Sequence, residues 1–128
     1  MSTILVVEDN EGNQELLRVL LEMAGHVVRC AETADEGIAL ARQLRPDLIL
    51  MDMHLPGMDG YEATRIIKKD SDLKKIPVIA VTVISDRHDE EVLTACGCDG
   101  FIAKPIDTRQ VAADIAAVLE RSGTSDVK

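Results

Sequence analysis

Five polar residues in this chain each follow a short apolar run. Glu8 and Asp9 follow Ile4-Leu5-Val6-Val7, and Asp52 follows Leu48-Ile49-Leu50-Met51. Thr82 follows Val78-Ile79-Ala80-Val81, and Lys104 follows Gly100-Phe101-Ile102-Ala103. If these runs place their polar residues at one edge of a sheet, three carboxylates converge in a crevice. Such a cluster repels itself, so one acid holds a proton unless a cation enters. Carboxylates, a backbone carbonyl and retained waters suit Mg²⁺ better than a dedicated calcium cage. The histidines (His26, His54, His88) are scattered, which argues against zinc or iron. A crevice holding Mg²⁺, an accessible aspartate, a hydroxyl and a lysine suits phosphoryl transfer onto a carboxylate. Asp52 would be the nucleophile and needs no general base. Mg²⁺ would take one phosphoryl oxygen, Lys104 a second and Thr82 a third.

The elements that must position these residues are legible as strands and helices. Continuous apolar runs of four or five residues read as strands buried on both faces. After the first, Leu16, Leu20 and Met23 recur at helical spacing, with Leu17 and Leu21 widening the stripe. Asn10 caps that helix and Gly25 stops it. Val27-Val28-Arg29-Cys30 is more polar and suits an edge strand. Thr33-Ala34-Asp35-Glu36 is a capping box, opening a helix that runs to about Leu44 and ends before Pro46. The Asp52 strand leads into turn residues, Met53 to Gly60. Asp59 opens a third helix with Ala63, Ile66 and Ile67 inward, closing at Lys68 to Asp72. After the strand Pro77 to Thr82, Ser85 caps a fourth helix reaching about Ala95. Asp107 caps the last helix, whose stripe is Val111, Ile115, Val118 and Leu119. Residues 1–121 read as one domain and 122–128 as a polar, frayed tail. Strict alternation of strand and helix implies a doubly wound, flavodoxin-like (βα)5 parallel sheet of order 2-1-3-4-5. Ligands of such sheets bind beyond the carboxyl ends of the strands, at the switch point between strands 1 and 3.

Composition narrows the function. The chain has 128 residues, 46% hydrophobic and 29% charged, which suits one soluble domain. With 2% aromatics, its core must be aliphatic. A net charge of −9 argues against a nucleic-acid surface. Nothing is long enough to span a membrane, and no charged leader precedes the first strand. Three cysteines (Cys30, Cys96, Cys98) fit a reducing cytosol. Cys96-Gly97-Cys98 has neither zinc-knuckle nor C-x-x-C spacing and reads as small buried hydrophobes.

Glu8-Asp9, Asp52, Thr82 and Lys104-Pro105, in this order and spacing, resemble the receiver domain of two-component response regulators. The resemblance covers about residues 3 to 121 and is strongest to stand-alone receivers of the CheY and DivK type. It implies that Asp52 accepts phosphate from a sensor histidine kinase or a histidine phosphotransfer protein. It implies that Asp9, Asp52 and the backbone carbonyl of His54 hold Mg²⁺ directly, and that Glu8 acts mainly through a water on the metal. Thr82 would move toward the phosphate, Phe101 would swing inward behind it, and Lys104 would bind it; Lys104-Pro105 would be a cis bond. Output would be altered binding of a downstream target at the face made by the fourth helix, fifth strand and fifth helix. The expected molecule is a cytoplasmic monomer or weak dimer that catalyses only its own phosphorylation and dephosphorylation. Val83 departs from the smaller residue usual in the family and would slow access to phospho-Asp52. A phosphatase with an aspartyl-phosphate intermediate is the alternative. It needs a second acid two residues after the nucleophile, where this chain has His54. A flavin-binding electron carrier of similar fold would need a hydroxyl- and glycine-rich loop after strand 1, where this chain has acids.

Overall fold

The apolar runs become strands because helices cover both faces of the sheet they form. In the computed structural model, which describes residues 2–83 and 87–121, five strands alternate with five helices. They are β1 (Thr3–Val7), α1 (Glu11–Met23), β2 (Val27–Ala31), α2 (Ala34–Leu44) and β3 (Leu48–Asp52). There follow α3 (Gly60–Lys69), β4 (Val78–Thr82), α4 (Arg87–Cys96), β5 (Gly100–Ala103) and α5 (Val111–Arg121). All pairings are parallel, in the order β2-β1-β3-β4-β5. This is the flavodoxin-like order expected from the sequence. The polar tail predicted for 122–128, and Ser85 as cap of the fourth helix, lie outside the described residues.

Alternation along each strand divides the core. Leu5, Val7, Ile49, Met51, Val78 and Ala80 pack under α2, α3 and Leu93 of α4. Ile4, Val6, Leu48, Leu50, Ile79 and Val81 pack under Leu17 and Leu21 of α1 and Ile115 and Val118 of α5. Every residue of β3 and β4 is buried, which is why these strands show no polar alternation.

Caps set the helix starts. Asn10 accepts from Asn13 N–H, Thr33 from Glu36 N–H and Asp59 from Glu62 N–H. The predicted capping box closes one residue early, because the Glu36 carboxylate takes the N–H of Glu32 rather than that of Thr33.

Two further sequence expectations change. The inward face of α1 is centred on Leu17 and Leu21, with Leu16 and Leu20 half-buried, and Met23 is 80% exposed. Met23 closes the last turn, past the reach of the sheet. Asp107 does not cap α5 directly. Its carboxylate accepts from Arg109 N–H and its carbonyl from Gln110 N–H, holding a separate turn before the helix begins at Val111.

Candidate functional site: an acidic crevice at the carboxyl edge of the sheet

Strand register sets the site. Val7 pairs with Met51, Asp52 with Val81 and Thr82 with Ala103, so Glu8, Asp52, Thr82 and Lys104 emerge at one edge within two residues of each other. The edge is laced beyond the strands by Glu8 N–H to Ala31 O at 2.9 Å and Lys104 N–H to Thr82 O at 2.8 Å. Glu8 and Asp52 each lie two residues past a side chain, Val6 and Leu50, that packs toward α1 and α5. Period-two alternation therefore sends both acids to the same side.

Glu8, Asp9 and Asp52 each place one carboxylate oxygen within 4.8 Å of the others. Glu8 and Asp52 are buried, while Asp9 is exposed. Lys104 Nζ lies 3.5 Å from Glu8 Oε1 and 3.5 Å from Asp52 Oδ2, bridging the two buried acids. The two are held in different ways. Asp52 Oδ1 accepts the N–H of His54 at 3.0 Å. Glu8 Oε2 accepts the N–H of Asn10 at 3.1 Å, while Glu8 Oε1 has no hydrogen bond among the described residues. Burial pushes the Glu8 carboxyl up to about 7; the Asn10 N–H pulls the other way, the neighbouring Asp52 adds to the rise, and Lys104 opposes it. The hydroxyl of Thr82 is also buried, with no hydrogen-bond partner among the described residues. A buried hydroxyl and a buried carboxylate oxygen, both unsatisfied and at one crevice, are costly features in the free protein.

These groups fit a hard divalent cation and an oxyanion. Three carboxylates supply oxygen ligands of the kind Mg²⁺ takes, and Glu8 Oε1, ion-paired with Lys104 but not hydrogen-bonded, has an acceptor site to give. Lys104 and the Thr82 hydroxyl are donors with capacity to spare for a phosphoryl group.

The remaining predicted residues lie on the strands and turns that carry this centre. His54 contributes its backbone N–H, and its side chain is exposed. The Lys104–Pro105 peptide bond is cis. Phe101 is 40% exposed; its ring borders an open groove of about 530 Å³ with Glu90, Glu91, Thr94 and Ala95 of α4. Val83 is 59% exposed beside Thr82.

Two supporting residues escaped the sequence reading. Gln14 Nε2 donates to the Glu8 carbonyl, tying α1 to the end of β1. Gly60 brings the start of α3 so close to β3 that a Cβ there would lie 2.4 Å from the Asp52 carbonyl oxygen. A glycine next to a cap residue was the one signal for the second; Gln14 left none beyond its place in the first turns of α1.

Comparison with known proteins agrees with this geometry. The family model for the response regulator receiver domain matches residues 4–116. The polar-differentiation response regulator DivK of Brucella anthropi is 45% identical over 104 residues, 81% of this chain and 85% of that protein. Among solved structures, the signal receiver domain of a signal transduction histidine kinase from Syntrophus aciditrophicus superposes with a TM-score of 0.88 at 35% identity. It covers 100% of this chain and 96% of the other. Chemotaxis protein CheY4 of Vibrio cholerae gives 0.86 at 25% identity, covering 92% and 98%.

Proposed function

Because the chain belongs to the response regulator receiver family, we propose that Asp52 is its phosphoacceptor and that phosphorylation switches the binding of a target protein. Membership implies two-component signalling with a histidine kinase as partner, and a regulator rather than an enzyme turning over an external substrate. The observation that carries the assignment is the position of Lys104, 3.5 Å from both Glu8 and Asp52 at an edge that also presents Thr82.

In this reading Asp52 attacks the phosphorus of a phosphohistidine on the kinase or on a phosphotransfer protein. The P–N bond breaks and the imidazole nitrogen takes a proton from solvent. The His54 N–H on Oδ1 fixes the carboxylate plane and leaves Oδ2 facing Lys104. Glu8, Asp9, Asp52 and the His54 carbonyl would hold Mg²⁺. When bound, the ion supplies charge neutralisation for the incoming phosphoryl oxygens. Lys104 turns from Glu8 to a phosphoryl oxygen, and the unsatisfied Thr82 hydroxyl finds its acceptor on another. Phe101 then follows Thr82 inward, Pro105 fixes the turn after Lys104, and the face of α4, β5 and α5 changes shape for its target. No helix among the described residues is long and apolar enough to cross a membrane. We place the reaction in the cytoplasm, in a monomer or weak dimer, with no nucleic-acid partner.

The test is intact mass after incubation with acetyl phosphate and Mg²⁺, for the parent chain and Asp52→Asn. One hydroxylamine-labile phosphoryl adduct is expected, absent from the variant and absent without Mg²⁺. An adduct of the same yield in Asp52→Asn would overturn the assignment.

A further inference from the structure

The end of α4 carries a second arrangement, away from the acidic crevice. Gly97 N–H bonds to Thr94 O at 3.1 Å and Cys98 N–H to Leu93 O at 3.2 Å. With Gly97 at φ +109°, this pair is a Schellman motif, in which the chain folds back over its own last turn. The fold-back brings the residues flanking the glycine together, and the Cys96 and Cys98 sulfurs lie 3.7 Å apart. Cys96 Sγ also bonds to Leu93 O at 3.2 Å, and both thiols are free. A side chain at Gly97 would meet Lys68 Cγ at 2.9 Å, so the turn is closely backed by α3. The sequence alone suggested two space-filling residues; the turn makes them a facing pair.

We propose that Cys96 and Cys98 form an intramolecular dithiol that a small disulfide of the glutathione class closes reversibly to a Cys96–Cys98 disulfide. Cys98 is half-buried and Cys96 buried, so the exchange has an order. Cys98 sulfur, as its thiolate, attacks one sulfur of the small disulfide and expels one thiolate, leaving a mixed disulfide. Cys96 sulfur then loses its proton and attacks Cys98 sulfur, expelling the second. Two protons and two electrons pass from the pair to the small disulfide, which leaves as two thiols. The product is neutral. Burial, then the neighbouring Cys96, pushes the Cys98 thiol up to about 12, so its attacking thiolate is scarce and the exchange is slow. The same environment makes a lasting thiolate, and so a zinc site, a poor alternative. Closure would release Leu93 O from the Cys96 thiol and clamp the last turn of α4. The inference is independent of the phosphoacceptor assignment.

The experiment equilibrates Cys30→Ser protein in buffers of reduced and oxidised glutathione, blocks free thiols with iodoacetamide, and reads intact mass. The expected species has lost two hydrogens, takes no alkyl group, and reverts with dithiothreitol. In Cys96→Ser the reaction should stop at a stable glutathione adduct on Cys98. The folded chain should close with an equilibrium constant roughly tenfold larger than the same chain in urea. A glutathione adduct that accumulates equally with and without Cys96, disulfide-linked dimers instead of closed monomer, or equal closure in urea would each overturn the proposal.

Discussion

Replacing Gly60 by alanine tests whether the contact between α3 and β3 holds the proposed phosphoacceptor in place. The added methyl would lie 2.4 Å from the Asp52 carbonyl oxygen, 2.7 Å from Met53 Cα and 2.9 Å from Met53 Sδ. Only the sulfur can swing aside. The other two atoms are backbone, and normal separation requires α3 to withdraw by about 1 Å. Overpacking of this kind costs about 1–3 kcal/mol, and rigid partners favour the upper end. Alanine returns up to about 1 kcal/mol through helix propensity. The net loss is about 2 kcal/mol, a fall in melting temperature of roughly 8 °C for a chain of 128 residues. Gly57→Ala is the comparison. Its φ is +74° with nothing within 4 Å of the new methyl, so it carries backbone strain alone, about 1 kcal/mol. Since the withdrawal pulls on Asp52 itself, Gly60→Ala should also slow phosphorylation by acetyl phosphate by about a hundredfold. Urea unfolding and time-resolved mass spectrometry read the two effects separately. A midpoint within error of the parent would refute the packing argument. A destabilised variant phosphorylated at the parent rate would refute the link from packing to the site.

The metal-free protein should lose stability as pH rises from about 4.5 to about 7. Over that window the folded chain retains on Glu8 a proton that the unfolded chain releases, and Glu8→Gln should flatten the slope in urea midpoints taken in EDTA. Lys104→Met removes the cation lying 3.5 Å from both buried acids; calorimetry should find Mg²⁺ bound more tightly, while phosphorylation slows by about a hundredfold. Val83→Ala should speed loss of phosphate from Asp52, because Val83 stands exposed beside Thr82; an unchanged rate removes that idea. Asp99→Ala should cost about 1–3 kcal/mol in urea unfolding. Its carboxylate accepts both Val78 N–H and Lys68 Nζ at 2.8 Å, and the loss leaves the start of β4 without its partner.

The sequence carries the fold through the strands. Where helices cover both faces, a strand must be apolar throughout, so a single polar residue at its end marks the edge where it stops. Glu8, Asp52 and Thr82 were legible for this reason. A further signal went unused: Glu8 and Asp52 fall on the same alternation as Val6 and Leu50, which places both acids on one side of the sheet. Amphipathic period served less well. In α1 both Leu16/Leu20 and Leu17/Leu21 lie at helical spacing, and only the position of the sheet decides that the second pair faces inward and that Met23 faces solvent. Asp107 shows the limit of capping rules. Its carboxylate does accept a backbone N–H two residues on, as a turn residue would, but the turn it holds is not yet the helix.

The exposure of Phe101 has a physical reason. An aromatic in a central strand is buried whatever its neighbours, because two layers of helix cover it. β5 is an edge strand, paired among the described residues with β4 alone, where Phe101 aligns with Ala80. The groove beside its ring is lined by Glu90, Glu91, Thr94 and Ala95 of α4, with Leu93 and Cys98 bordering a second cavity next to it. Two carboxylates and two small side chains make a poor lid for a ring, so the ring stays 40% exposed although it is the only phenylalanine in the chain. The same weakness of cover is what a two-position aromatic requires. A ring packed under aliphatic side chains would resist movement, whereas one resting against a charged helix face gains apolar burial by turning inward. The proposed inward turn would need room beside Thr82, which a hydroxyl drawn toward a phosphoryl oxygen would vacate. Under the proposed switch, phosphorylation of Asp52 would give the Thr82 hydroxyl an acceptor and let Phe101 bury its ring.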